Sequence, residues 1–290
     1  MRFPASPPLT ARPCHRKPWE TLMSASNGSA PEHRPTLPVP ARQHTHGGRA
    51  FAAMLLLVTL GAVSWGAAVS AAEIDYAAAR ERMVEQQLAS TWRGISDPAV
   101  LSAMATVPRH EFVPAELRPY AYDDRPLPIG YAQTISQPYV VAFMTEKLQP
   151  TAADRILEIG TGSGYQAAIL SVLVNEVYSI EIVEPLARRA ESDLLRLGYR
   201  NVKLRHGDGY KGWPEAAPFD AIIVTCAPDH VPKPLIDQLR DGGRMIIPVG
   251  ERGSQMLFLL RKHGSALQRE AVLPVRFVPM TGSADGRVGR

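Results

Sequence analysis

The stretch "RILEIGTGSGYQAAIL", from Arg155 to Leu170, constrains the fold of this chain more than any other. A short apolar run breaks into three alternate glycines, Gly160, Gly162 and Gly164, and then into a helical pattern. Glycine tolerates positive φ and close approach of other groups, so the spacing reads as a buried strand turning tightly into a helix. The alternation then repeats. Strand candidates are 155–159, 177–181, 202–206, 221–225, 244–249, 256–261 and 272–278, and helix candidates are 166–174, 185–197 and 233–239. Strands separated by helices predict parallel βαβ units, hence an α/β fold with a doubly wound, mostly parallel seven-stranded sheet. The last strands have no helices between them, which predicts an antiparallel edge.

Ahead of the sheet lies an N-terminal helical extension. Residues 74–90 have helical periodicity, with Ile74, Ala77, Ala78, Val84 and Leu88 able to share one face. "SDPAVLSAMATV" predicts a second helix, capped by Asp97, with Pro98 in its first turn and Val100, Leu101 and Met104 turned inward. A third is expected over 137–147. Before it, "PRHEFVPAELRPYAYDDRPLPIGYAQTISQP" is rich in proline and aromatics and has no regular period. A long irregular segment inside a domain is more often functional than idle.

The formal net charge of +4 over 290 residues is unevenly placed. Residues 1–50 hold seven Lys/Arg and two Asp/Glu, leaving 25 basic and 26 acidic residues, of totals of 32 and 28, for the remainder. The main domain, 73–290, is therefore near neutral and carries no electrostatic footprint for nucleic acid. The first fifty residues contain nine prolines and no apolar periodicity, the composition of a disordered leader. Residues 51–72 continue an uncharged apolar run that ends in small residues. It reads as a signal peptide cleaved after Ala71 or Ala72, as an uncleaved membrane anchor, or as sequence upstream of a mis-assigned start. Cys226 is the one cysteine of the domain and does not settle the compartment.

In a doubly wound sheet the ligand sits outside the carboxyl ends of the strands, near the switch point. That gathers the glycine loop, Glu181, the Asp208 loop and Thr225 around one crevice. Two acids distinguish the ligand. Glu158 stands two residues before Gly160, where it would repel a dinucleotide's pyrophosphate but attract the ammonium of a methionine moiety. The helix N-terminus after the loop could receive the methionine carboxylate. Glu181, closing the second strand, is placed for two ribose hydroxyls, and Asp208 could accept from an adenine amino group. These features favour S-adenosylmethionine over NAD. The alternative, that the glycines only permit a tight turn, leaves Glu158 and Glu181 without a role.

The chain resembles the protein-L-isoaspartate (D-aspartate) O-methyltransferases. The resemblance rests on "VPRHEFVP" (107–114), "LPIGYAQTISQPYVVAFMTEKL" (127–148), "ILEIGTGSGYQAAIL" (156–170), "HGDGYKGWPEAAPFDAIIVTCAP" (206–228), "LIDQLRDGGRMIIPVG" (235–250) and "VRFVPMTG" (275–282), and covers nearly all of 74–282. "QTISQP" and "RFVP" are more specific than the glycine loop. The resemblance implies a Rossmann-like class I methyltransferase fold and a methyl donor, S-adenosylmethionine, with no metal. It implies transfer to the free α-carboxylate of L-isoaspartyl residues in aged peptides or proteins, the ester then closing to a succinimide. It also implies a monomer in the cytoplasm. Export to the periplasm or beyond would separate the enzyme from its donor, and the membrane is a partner only if the apolar segment is retained as an anchor.

Within "QTISQP" the family's active-site serine falls on Ser136, read as orienting the attacking carboxylate; as an isolated residue it would also serve as a helix N-cap. Gln133, Thr134 and Ile135 are expected to wall the cofactor, with Thr134 also facing substrate. Thr161 and Ser163 within the glycine loop, and Gly209 beside Asp208, complete the cofactor set with Thr281. Thr225 either faces the donor or satisfies backbone groups. Arg276, Phe277 and Val278 match a late segment beside the substrate groove. His110 and His206 are expected to be structural. The family's glycine two residues after Gly130 is Ala132 here, which puts a methyl group where the loop needs a special backbone angle. Rival readings are a methyltransferase for a small molecule or RNA, which "QTISQP" argues against, and a non-enzymatic membrane-tethered binding module.

Overall fold

The computed structural model describes residues 74–90 and 93–282. The expectations for the leader and the apolar segment, 1–72, lie outside these residues. All described residues fall in one contact unit, Ala68–Arg290. No helix among them is long and apolar enough to cross a membrane.

The chain enters through α1 (Tyr76–Arg82), which continues as a π-helical turn over Met83–Leu88. The expected face holds only in part: Leu88 is buried and Val84 packs against the core, whereas Ile74 and Ala77 are exposed, and the fully buried positions are Met83 and Leu88. They are five residues apart, the spacing of the i→i+5 turn rather than the 3.6-residue period used to read the sequence. α2 (Pro98–Thr106) follows with Asp97 as its cap, the carboxylate accepting the Ala99 N–H at 2.8 Å. Val100, Ala103 and Met104 are buried, and Leu101 only partly.

The irregular segment is more ordered than its composition suggests. Short 3-10 turns at Arg109–Phe112 and Ala115–Tyr120 lead into an antiparallel hairpin, β1 (Leu127–Gly130) and β2 (Gln133–Ile135). Leu127, Ile129 and Ile135 are its buried side. The hairpin turns through Tyr131 and Ala132, both left-handed at φ 53° and 55°. α3 (Pro138–Leu148) follows directly.

The main sheet comprises β3 (Arg155–Ile159), β4 (Glu176–Glu181), β5 (Val202–His206), β6 (Phe219–Val224), β7 (Leu239–Val249), β8 (Gln255–His263) and β9 (Ala266–Val275). Its order is β5-β4-β3-β6-β7-β8-β9, parallel through β7 and antiparallel at β8 and β9. The helices α4 (Tyr165–Ser171), α5 (Glu184–Arg196) and α6 (Lys233–Gln238) connect β3 to β4, β4 to β5 and β6 to β7, while β5 reaches β6 through 3-10 turns at Gly209–Lys211 and Pro214–Ala216. Both faces are covered, which is why these strands read as nearly continuous apolar runs. Ile156, Val177, Ala221, Ile223 and Ile246 join one core with α2, α3, α4 and α5. Their neighbours Leu157, Ile159, Ile180, Ile222, Val224 and Ile247 join a second core that includes Leu235 of α6.

β3 lies between β4 and β6, and the chain winds outward from it in both directions. The carboxyl ends of β3, β4 and β6 therefore surround the switch point, where backbone connections diverge and leave a crevice. The chain returns there after β9: Ala227 N–H donates to Val278 O, and Met280 N–H to Ala227 O, each at 2.8 Å. Buried Gln255 grips Phe277 from both sides, its Oε1 accepting the Phe277 N–H at 2.6 Å and its Nε2 donating to the Phe277 carbonyl at 3.1 Å.

Because Ala132 is held left-handed, A132G should relieve strain that exceeds glycine's extra unfolded-state entropy. A net stabilisation of about 0.5–1 kcal/mol is expected, read as a higher urea midpoint with an unchanged m-value.

Candidate active site

Two cavities open side by side on this edge of the sheet. The first, at the switch point, encloses about 780 Å³ including its open mouth. It is lined by Gln133, Thr134, Ile135 and Ser136 from the hairpin exit, by Gly160, Thr161, Gly162 and Ser163 from the glycine loop, and by Glu181, Ile182 and Val183 after β4. Gly209, Thr225, Cys226 and the returning segment Val278, Pro279, Met280 and Thr281 close it. The second is a groove of about 1650 Å³ bounded by Arg93, Gln137, Tyr139, Gln255, Arg276, Phe277 and Val278, among others. Thr134, Ser136, Thr225 and Val278 line both.

The glycine loop is braced internally. Gly160, at φ 96°, lies so close to β6 that a Cβ there would stand 2.6 Å from Thr225 Oγ1. Its N–H donates to Ile180 O at 2.8 Å, extending the ladder beyond β3. Gly162 N–H donates to Glu181 Oε2 at 2.7 Å, and Val183 N–H to Glu181 Oε1 at 2.9 Å. Gly164 N–H is taken by Thr161 O and Tyr165 N–H by Ser163 Oγ. The start of α4, expected to be open to a ligand carboxylate, is thus partly capped by its own loop. Gly164 itself faces away from the crevice: a Cβ there would meet Leu194 and Ala190 of α5.

Glu181 is buried yet lines the crevice. Its two oxygens offer about four acceptor sites, of which the backbone takes two, leaving capacity for a pair of hydroxyls. Glu158 is placed differently from the sequence expectation. It is fully buried behind the crevice wall, because the β3–β4 register sets it opposite Ser179. Ser179 Oγ donates to Glu158 Oε2 at 2.5 Å and shares a 2.6 Å hydrogen bond with Thr161 Oγ1, while Glu158 Oε1 has no partner. Burial, opposed by the Ser179 hydrogen bond and reinforced by Glu181, pushes the carboxyl up to about 8. Any influence on a ligand therefore passes through the two hydroxyls rather than by contact.

Asp208 also stays out of the crevice lining. Its carboxylate accepts the Tyr210 N–H at 3.0 Å and lies against Gly282, leaving Gly209 to face the cavity. Thr225 lines the crevice while its hydroxyl contacts backbone carbonyls, Gly160 O at 2.6 Å and Ile159 O at 3.0 Å, the second of the two arrangements expected for it. The expected substrate set, Thr134, Ser136, Arg276, Phe277 and Val278, lines the groove in full. His110 stacks on Tyr76 at 4.0 Å and bonds Tyr122 at 2.8 Å, a packing role. His206 Nε2 sits 3.2 Å from Ile182 O, exposed at the end of β5.

Ser136 is not the cap of α3. Gln137 occupies that position, with Pro138 opening the helix, and the Ser136 side chain makes no hydrogen bond among the described residues. The free N–H of the first turn is served from elsewhere: Asp124 Oδ1 accepts from Tyr139 N–H at 2.9 Å. Nothing periodic in the sequence announces Asp124. Ile182, Val183 and Met280 also line the crevice and carry no motif, being apolar residues at strand and chain returns. Burial holds the Cys226 thiol well above its ordinary range, so it stands in the wall as a protonated, poorly nucleophilic group. Among the described residues no group of three or more His, Cys, Asp or Glu side chains converges as a metal site.

Comparison with known proteins bears on this geometry. The family model described as Protein-L-isoaspartate(D-aspartate) O-methyltransferase matches residues 79–285. A Protein-L-isoaspartate O-methyltransferase of Opitutus terrae is 59% identical over 203 residues, 70% of this chain and 86% of the relative. Protein-L-isoaspartate O-methyltransferase 2 of Syntrophobacter fumaroxidans is 55% identical over 236 residues, 78% and 96% of the two chains. A solved protein-L-isoaspartate O-methyltransferase superposes with TM-score 0.62 at 33% identity, covering 70% of this chain and 66% of its own. A Plasmodium falciparum chain assigned the same activity, solved in complex with S-adenosyl-L-homocysteine, gives TM-score 0.61 at 25% identity over 72% and 99% of the two chains.

The raised Glu158 carboxyl has a stability consequence with a definite sign. It binds a proton in the folded chain at pH values where the unfolded chain has released it, so its favourable contribution is full below pH about 4.5 and is lost as pH rises through about 8. E158Q mimics the protonated form at every pH. Urea unfolding at pH 5, 7 and 9 should show the wild type losing stability relative to E158Q across that window, and a constant difference would refute the buried, protonated state.

Proposed function

The chain belongs to the protein-L-isoaspartate (D-aspartate) O-methyltransferase family, and from that membership we propose that it methylates the free α-carboxylate of L-isoaspartyl residues in damaged proteins, using S-adenosylmethionine. One observation carries the reading at the level of the site: crevice and groove meet at Thr134, Ser136, Thr225 and Val278. A donor held in the crevice and a peptide held in the groove would come together there.

The crevice fits the donor. Glu181 has acceptor capacity for the ribose hydroxyls, and Gln133, Ile135, Thr161, Ser163, Gly209 and Thr281, which line the same crevice, would supply wall and polar contacts to the donor. The donor contributes a methyl group on a positively charged sulfur. Bound there, it would supply that methyl to a carboxylate oxygen, the carbon–sulfur bonding pair staying with sulfur as the carbon–oxygen bond formed. The attacking α-carboxylate has a reference pKa near 3.5 and is already ionised at neutral pH, so no general base is required. The chain's task is alignment and partial exclusion of water. Ser136 and Thr134 are the hydroxyls that would orient the carboxylate, and Arg276, Phe277 and Val278 would hold the peptide beside them. Thr225 has its hydroxyl engaged with Gly160 O and shapes the wall. Action in the cytoplasm follows from the need for the donor.

The deciding assay offers labelled S-adenosylmethionine and paired peptides differing only in L-isoaspartate or L-aspartate. Equal labelling of the pair would refute the assignment. S136A is expected to slow methylation by about 10- to 100-fold with donor affinity nearly kept. E181A should weaken donor binding by at least about tenfold, since a charge-assisted hydrogen bond contributes about 1.5–3 kcal/mol. Unchanged affinity by calorimetry would remove Glu181 from the ribose site.

A further inference from the structure

We infer that Asp124 is a positioning residue for the transfer step: its carboxylate holds the start of α3, and with it Ser136, in register with the junction of crevice and groove. The inference rests on the functional reading of that junction given above.

Three donors converge on this one side chain, which is largely buried. Tyr139 N–H reaches Oδ1 at 2.9 Å, while Gln137 Nε2 at 2.9 Å and Arg93 Nη2 at 2.7 Å reach Oδ2. The Arg93 guanidinium in turn lies 4.4 Å from the Tyr139 ring centroid, so the ion pair and the ring form one wall of the groove. Ser136 sits between two fixed points. On one side Ile135 is buried and paired with Leu127 across the hairpin. On the other, Gln137 and Tyr139 are held by Asp124, which itself precedes Leu127 by three residues. The segment from 124 to 139 is thus a closed loop with the Asp124 carboxylate as its clasp.

A helix cap alone would need only the Tyr139 hydrogen bond. The other two donors come from groove-lining side chains, which ties the placing of Ser136 to the shape of the peptide site. A carboxylate is better suited to this than an amide, because all three partners are donors and an amide nitrogen would face one of them. Misplacing a group by about 1 Å near reacting atoms costs on the order of 100-fold, so a modest shift of the clasp is expressed as rate.

The test is a double-mutant cycle of D124N and S136A, measured with the isoaspartyl peptide. D124N is expected to lower kcat about tenfold or more while donor affinity, which also reports that the domain is folded, stays within about twofold. The double variant should be no more than about twofold slower than S136A, since Asp124 acts through Ser136. Losses that multiply, or an unchanged kcat in D124N, would overturn the inference. Should D124N not fold, Asp124→Glu, which keeps the charge but displaces it by one methylene, is judged by the same criteria. A wild type that ignores isoaspartyl peptides refutes the functional reading beneath it, whereas a normal wild type matched by D124N refutes only the role of Asp124.

Discussion

The Glu181 carboxylate ties the end of β4 to the glycine loop after β3, and the shape of the crevice depends on that tie. Parallel strands that end together leave backbone N–H groups pointing past the edge of the sheet, where an unsatisfied buried donor costs on the order of 1–3 kcal/mol. Glu181 takes two of them, from Gly162 and Val183. Thr225 serves carbonyls on the other flank, at Ile159 and Gly160. The loop is thereby fixed before any ligand arrives, and a preorganised site need not spend binding energy on ordering itself.

Ser136 belongs to a different part of the chain, and its freedom has a separate origin. The hairpin pins the residue before it, and Asp124 takes over the capping of α3 that a serine in this sequence context commonly performs. A hydroxyl left out of the helix start is available to a ligand. The same remote capping joins Arg93 and Tyr139 into the groove wall. The start of α3 beside Ser136 and the groove wall are therefore linked through one carboxylate.

The alternation of apolar runs and helices was sufficient to recover the seven strands of the main sheet and the antiparallel edge, because burial on both faces leaves a strong signal in each strand. Boundaries shifted by a few residues, most at β9, which runs Ala266–Val275 rather than 272–278, and next at β7, which begins at Leu239 through a bulge rather than near Arg244. The π-helical turn and the hairpin were not legible. The first breaks the 3.6-residue period, and the second turns through Tyr131 and Ala132, which carry no glycine signal at the positive-φ positions. At the site, the acids near strand ends stood out in the sequence, but the direction of each side chain was not legible: Glu181 lines the crevice, while Glu158 and Asp208 do not. Glu158 and Glu181 share a face of the sheet, because Glu158 pairs with Ser179, two residues before Glu181; Glu158 is covered within the ladder, whereas Glu181 closes β4 and reaches the crevice, a distinction that depends on where each strand stops.

The returning segment that closes the crevice comes from the far end of the described chain. Val278, Pro279, Met280 and Thr281 are seated on Ala227 by two backbone hydrogen bonds and held from behind by Gln255. A ribosome producing this polypeptide completes the glycine loop more than a hundred residues before it supplies that last wall. During synthesis the sheet can assemble while both cavities stay unfinished, and the nascent chain gains a closed crevice and a complete groove in the same late step.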